Sequence, residues 1–148
     1  MSSRFARAVL ASFLLSAVAG CSSSGPPKED DTTKDLGYIA RAYGLIVQGH
    51  ERPPRDLEEI KQFLADLHAA DQNPAPEEVL TSSRDGQPYV IILGANLGGE
   101  VSRDILAYEK TGAEGKRYVL LMSRDVVLMT DEEFNQSTFA RGHRPTKG

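Results

Sequence analysis

Residues 105–130, ILAYEKTGAEGKRYVLLMSRDVVLMT, decide the fold because three strand-like runs follow one another there across two short turns. The runs at 105–110, 118–122 and 126–129 are rich in β-branched, aromatic and aliphatic residues. Residues 112–116 and the pair Arg124-Asp125 form the turns. Strands joined by such short turns pair antiparallel, because a parallel connection needs a crossover of about a dozen residues or more.

One more strand is predicted upstream of these three. Residues 89–93 are an apolar run that follows the turn pair Asp85-Gly86. Within the run at 105–110, the alternation of side chains predicts that Ile105, Ala107 and Glu109 share one face. A carboxylate on a buried face needs a counter-ion.

Helical periodicity precedes the strands. Apolar residues recur at helical spacing over 36–50 and again over 57–67, which predicts two helices with one buried face each. The first helix is expected to begin at a cap supplied by Thr32 or Thr33, and the second at the capping box of residues 56–59.

The order of elements predicts an α+β fold. Two N-terminal helices pack on an antiparallel β-meander of about four strands, and a short C-terminal helix follows, capped by Thr130 and Glu133 and carrying Phe134. The expected domain spans residues 35–140, and residues 141–148 are expected to form a disordered polar tail.

The N-terminus carries the most specific motif. Arg4 and Arg7 precede an uncharged apolar run at 8–19, and Val18-Ala19-Gly20-Cys21 follows with the chain's one cysteine. The arrangement resembles a bacterial lipoprotein signal peptide ending in a lipobox. The resemblance implies cleavage between Gly20 and Cys21, and a diacylglycerol and an N-acyl chain on Cys21. The alternative is an ordinary secretory signal with an incidental cysteine.

The resemblance also implies a location. Residues 1–20 would be removed, and residues 21–34, rich in Ser, Pro and charge, would tether the domain to a membrane. The expected location is the cell envelope, facing the periplasm. By resemblance to the sorting of other bacterial lipoproteins, Ser22 favours the outer membrane over the inner.

Charge and cysteine content exclude several classes of function. The signal holds two of the 17 basic residues and none of the 21 acidic residues, so the mature chain has a net charge of −6. An acidic protein lacks the basic surface expected of a nucleic-acid-binding protein. With Cys21 lipidated, no thiol remains for a disulfide, a thiolate metal site or a nucleophile. No cofactor and no metal site are predicted, since the three histidines are scattered.

A family resemblance covers most of the mature chain. It is carried by the helix break Pro53-Pro54, by the strand entry Asp85-Gly86-Gln87-Pro88-Tyr89, and by the strands and helix at 105–134. In these stretches the chain resembles the globular domain of type II secretion pseudopilins, and more narrowly planctomycete-type proteins related to them. The lipobox stands where a pseudopilin has its peptidase site and filament-forming helix, so assembly through that helix is not expected.

The candidate site residues are few. Glu109 is expected to form a structural ion pair with Arg84, Arg103 or Arg124. These arginines belong to three copies of Ser-Arg-Asp, at 83–85, 102–104 and 123–125. The copies are either an arginine–carboxylate array at one end of the sheet or three turns that favour Ser and Asp.

Two function classes remain. One is a membrane-anchored, non-catalytic lipoprotein whose domain is a protein-interaction module, with another envelope protein, such as a secretion or surface-assembly component, as its partner. The alternative is a periplasmic hydrolase or glycan-binding protein that uses the carboxylates between Glu100 and Glu109.

Overall fold

The structure, a computed structural model, describes residues 29–71, 74–97 and 102–145. It confirms the α+β fold. The elements run in this order: α1 (Glu29–His50), α2 (Leu57–Asp71), α3 (Pro76–Val79), β1 (Val90–Ile91), β2 (Ile105–Tyr108), β3 (Lys116–Leu121), β4 (Val126–Thr130), α4 (Asp131–Gln136) and a 3-10 turn (Ala140–Gly142). Among these described helices, none is long and apolar enough to cross a membrane.

The sheet is the predicted antiparallel meander, with strand order β1-β2-β3-β4. β3 and β4 pair without interruption over five positions, from Lys116 opposite Thr130 to Leu120 opposite Val126. The first strand is shorter than the predicted run at 89–93, since regular pairing with β2 covers only Val90 and Ile91. β4 therefore lies at one edge of the sheet, and β1 at the other.

A bulge in β2 changes the predicted distribution of side chains between the faces. The register shifts between Ile105 and Ala107, so Leu106 is the extra residue. Leu106 and Ala107 both join the core on the helix side of the sheet, while Ile105 packs on the opposite side with Phe134. The prediction that Ile105 shares a face with Ala107 is therefore wrong, because simple alternation does not hold across a bulge.

The two long helices cover one face of the sheet. Ile39, Tyr43 and Ile46 of α1 are fully buried there, together with Ile60 of α2. The Tyr43 hydroxyl donates to the Ala95 carbonyl oxygen at 2.8 Å and accepts from the Ala95 amide at 2.9 Å. Burial raises the pKa of Tyr43 to about 12, so the hydroxyl stays protonated and links α1 to the loop after β1.

An aromatic cluster covers the other face. Phe134 of α4 packs edge-on against Tyr108, with ring centroids 4.9 Å apart. The ring centroids of Phe139 and Phe134 are 5.2 Å apart. His143 Nε2 lies 3.0 Å from the Tyr108 hydroxyl oxygen. The predicted tail boundary at 141 is therefore too early, because the 3-10 turn and His143 still pack on the domain.

The helix ends differ from the sequence expectation in two places. α1 begins at Glu29, within the expected tether at 21–34, and Thr32 is fully buried instead of capping the helix. At α2, Asp56 Oδ1 accepts from the Glu59 amide at 2.9 Å, as expected of an N-cap. The Glu59 carboxylate, however, binds Arg52 at 2.8 Å, so only half of the predicted capping box forms. The box of α4 is complete.

Candidate functional site

Glu109 lies directly after β2 and is fully buried. Its Oε1 accepts a hydrogen bond from Ser82 Oγ at 2.7 Å. Its Oε2 accepts from Arg84 Nη1 at 3.0 Å and from the Tyr118 amide at 2.7 Å. Three donors thus compensate the buried negative charge, which without them would be costly to remove from water.

Arg84 is the arginine that pairs with Glu109. Its side chain is 11% exposed, and its guanidinium lies over the Tyr118 ring at 4.9 Å. Nη2 also approaches the Ala113 carbonyl oxygen at 3.4 Å. The pair therefore ties the segment before β1 to the ends of β2 and β3 that meet at the turn between them.

The other two candidate arginines do not reach Glu109. Arg103 is exposed, and the Arg124 guanidinium lies against α1 at Gly44, where an added Cβ would stand 3.8 Å from it. Within the described ranges, neither forms an ion pair. Arg103 and Arg124 lie at the end of the sheet opposite to Glu109. Of the three predicted candidates, Arg84 alone is therefore close enough to pair with it.

The three Ser-Arg-Asp copies do not form one array. The second and third copies meet at one end of the sheet, where the Met122 amide donates to the Asp104 carbonyl oxygen at 2.9 Å. The first copy lies at the other end, where Asp85 Oδ2 accepts from the amides of Thr111 and Gly112, each at 2.9 Å. Asp85 also accepts from the nearby Gln87 amide and Asp125 from the Ser123 hydroxyl, which fits the turn interpretation for these two copies, whereas Asp104 accepts from the distant Thr138.

Of the carboxylates proposed for hydrolysis, the two that the structure describes, Asp104 and Glu109, do not face a shared cleft. Glu109 is buried in its ion pair, and Asp104 accepts a hydrogen bond from the Thr138 hydroxyl. Glu100 lies outside the described residues, as do the predicted lipidation site Cys21 and the cleavage residue Gly20. Among the described side chains, no group of three His, Cys, Asp or Glu stands close enough to hold a metal ion.

β4 is the longer of the two edge strands of the sheet. β4 pairs with β3 on one side, and no described backbone group pairs with it on the other. Its five residues, VVLMT, include no charge and no proline, and its pairing with β3 has no bulge. Natural sheets protect such edges with lysine, proline or a bulge, because an open edge can pair with another chain.

A cleft of about 840 Å³ lies next to β4 on one face of the sheet, where residues 102–103 and 136–138 also line it. Val127 and Met129 of β4 and Leu121 of β3 give it an apolar wall, and Arg103 and Asp125 stand at its end. Leu128, on the opposite side of β4, is 39% exposed, which is unusual for a large apolar side chain in this domain. The strand thus offers backbone groups to a partner and apolar side chains on both faces.

Comparison with known proteins gives no match. No family model matches the chain, and no curated protein and no solved structure is significantly similar to it.

Proposed function

We propose that the protein is a lipid-anchored envelope protein, held at Cys21 and facing the periplasm, whose folded domain is a non-catalytic interaction module. The lipobox-like Val18-Ala19-Gly20-Cys21 supports the anchor. Two or more acyl chains hold a protein stably on a bilayer, whereas one holds it only marginally. By the same resemblance, the outer membrane is the favoured site. The anchor would take the place of the helix that holds a pseudopilin in its filament.

The open β4 edge is the observation that carries the interaction role. In this proposal, an extended segment of another envelope protein adds to β4 as a fifth strand. Its backbone pairs with the free edge, and alternate apolar side chains enter the cleft beside Val127 and Met129. A second copy of the chain is the less favourable occupant, since two mature chains of net charge −6 repel each other.

The environment of Glu109 also favours a non-catalytic role over hydrolysis. A pair of catalytic carboxylates must face a shared space that holds the substrate bond. Glu109 has no access to solvent, and all three of its hydrogen-bond donors come from the protein. A structural ion pair accounts for this arrangement.

Acyl labelling and fractionation test the anchor. Cells that express the full chain are labelled with a palmitate analogue, and Cys21→Ala is compared with Ser22→Ala. We expect Cys21→Ala to lose the label and leave the membrane fraction, while Ser22→Ala keeps both. Full labelling of Cys21→Ala would overturn the lipid anchor.

Site-specific photocrosslinking tests the edge. A photoreactive residue at Leu128 is compared with one at Leu57 of α2, which is exposed to a similar extent, 41% against 39%. We expect a crosslink at position 128 to an extended, apolar-alternating segment of one envelope protein, and none at position 57. That crosslink should disappear when Val126 is replaced by proline, because the Val126 amide faces away from β3 and its loss leaves the β3 pairing intact. Crosslinks at both positions, or a homodimer at position 128, would contradict the proposed occupant.

A further inference from the structure

A second cleft, of about 770 Å³, lies on the helix side of the sheet, between α1 and the turn that joins β3 to β4. Small and apolar side chains line it, together with Gln48 and the guanidinium groups of Arg41 and Arg124. We call it the arginine cleft. None of the described carboxylates lines it, although the mature chain has a net charge of −6. A locally positive surface on an acidic protein attracts anionic groups.

Arg124 has an unusual backbone conformation in this turn. Its φ is 76°, in the left-handed region that residues with a side chain rarely adopt. Its guanidinium lies against α1 at Gly44, where an added Cβ would stand 3.8 Å from Cζ and from Nη2. A glycine would fit the turn without strain, so the turn alone does not account for an arginine here. Strained positions of this kind are concentrated at functional sites.

The Arg124 side chain has no counter-ion among the described residues. The guanidiniums of Arg52, Arg84 and Arg117 each bind a carboxylate of the same chain. Arg124, in contrast, forms no ion pair and no side-chain hydrogen bond with the described part of the chain. Its N–H donors therefore remain available to a carboxylate from outside.

The arginine cleft adjoins the β4 edge on the face that carries Leu128. Val126 and Tyr118 pack on the core between the sheet and the helices, and Leu128 lies opposite Tyr118, so Leu128 and Val126 share the helix face. α1, which lines the arginine cleft, contacts both β3 and β4. Arg124 precedes Val126 by two residues. A strand that pairs with β4 and continues past Val126 therefore reaches Arg124 on this face.

We propose that the partner segment on β4 carries an acidic side chain that binds Arg124 in the arginine cleft. This step rests on the proposed strand addition at β4. Antiparallel pairing is the geometry of the four existing strands, and it puts alternate partner residues opposite Leu128 and then Val126. The next residue on the same face lies beside Arg124. The helix-face side chains of the segment thus read apolar, apolar and acidic, from its N-terminal to its C-terminal end.

The acidic net charge of the protein does not prevent this contact. Exposed charges more than about 8 Å apart are largely screened at physiological ionic strength, so the guanidiniums of the cleft dominate at contact distance. A phospholipid phosphate could also bind a guanidinium. The apolar side chains of Leu45, Val47 and Leu97 in the cleft, and the open edge beside it, favour a segment of protein chain.

Photocrosslinking in cells that express the full chain tests the proposal, with the photoreactive residue at position 128. Mass spectrometry of the crosslinked peptide should find an Asp or Glu about four residues C-terminal to the crosslinked position. Arg124→Glu should reduce the crosslink at least tenfold, and lysine in place of that acidic partner residue should restore it. Arg144→Glu, the same change of charge at an exposed residue that lines none of the described clefts, is the matched control and should keep the crosslink.

Arg124→Gly separates binding from folding. Glycine adopts the φ of 76° without strain, so the turn is kept while the guanidinium is lost. The crosslink should fall at least tenfold in this variant, while thermal unfolding shows that the domain remains folded. A purely structural role for Arg124 would leave the crosslink unchanged in the folded Arg124→Gly chain.

Three outcomes would overturn the proposal. They are a crosslinked segment without an acidic residue at that position, an unchanged crosslink in Arg124→Glu and Arg124→Gly, and no rescue by the lysine substitution in the partner. An unchanged crosslink together with lost binding of Arg124→Gly to vesicles of anionic phospholipid would assign the cleft to a lipid instead. The strand addition would stand in each case, because the unmodified Arg124 chain still crosslinks at position 128. Absence of that crosslink would refute the strand addition itself, so the two failures are distinguishable.

Discussion

The Arg84 guanidinium and the Glu109 carboxylate form an ion pair of 3.0 Å in the interior of the domain. Their residues lie 25 positions apart in sequence, so the pair joins the segment before β1 to the end of β2. The same carboxylate also accepts from the Tyr118 amide at the start of β3. One buried charge therefore fixes three neighbouring segments relative to one another.

Removing the arginine should destabilise the fold strongly. Arg84→Ala leaves the fully buried Glu109 without its counter-ion, and breaking a buried pair in this way costs about 3–5 kcal/mol. The exposed Arg103→Ala is the matched control, with an expected change within about 0.5 kcal/mol. Urea denaturation at pH 7 gives both free energies of unfolding. Equal values for the two variants would show that the pair is not structural.

Asp35→Asn should stabilise the domain as the pH rises. The pKa of Asp35 in the fold is about 7, above its ordinary 3.8, so its stabilising contribution is complete below pH 3.8 and lost as the pH rises through 7. Asparagine stays neutral and avoids this loss, which is on the order of 2–4 kcal/mol by pH 8.5. Urea denaturation of both proteins at pH 3.5 and 8.5 should show a difference that grows between the two. A constant difference would mean that Asp35 titrates normally.

Tyr43→Phe should loosen the loop after β1. The Tyr43 hydroxyl is bonded to both the amide and the carbonyl group of Ala95, and its removal leaves these groups unpaired at a cost of about 1–3 kcal/mol. Tyr38→Phe, whose hydroxyl makes no hydrogen bond within the described ranges, is the control. Amide hydrogen exchange should accelerate at Ala95 in the first variant alone. Unchanged exchange there would show that the loop is held by other contacts.

Thr130→Ala should weaken α4. Thr130 Oγ1 accepts from the Glu133 amide at 3.2 Å, and Glu133 returns the contact to the Thr130 amide at 2.8 Å. Loss of such a cap typically costs about 1 kcal/mol. Thr111→Ala, at an exposed threonine in the turn after β2, is the matched control. Thermal unfolding should separate the two variants, and an equal melting temperature would contradict a stabilising role for the cap.

The sequence was enough for the two long helices, the antiparallel meander and the capped α4, because these follow from local periodicity and turn chemistry, whereas the short α3 and the 3-10 turn were not predicted. The β2 bulge at Leu106 was not predictable, since the apolar residues at 105–108 are buried on either face. Position 35 lies on the same helical face as Thr32 and Ile39, so the spacing contained the signal for a buried Asp35.

The sequence also could not show that Arg84, and not Arg103 or Arg124, pairs with Glu109. All three share the Ser-Arg-Asp context, and only the register of the meander shows which of them lies at the Glu109 end of the sheet. The open edge of β4 likewise follows from strand order, because the uncharged run at 126–129 reads equally well as a central strand.

Hydrogen exchange of the β4 amides tests the central claim of an edge that binds a partner strand. The lipidated chain in isolated envelope vesicles is compared with the purified mature chain. A strand added to β4 pairs the outward-facing amides of Val126 and Leu128, so these two should exchange at least tenfold more slowly in the vesicles. The amides of α2 should exchange equally in both samples. Equal exchange of the β4 amides in both samples would contradict the account.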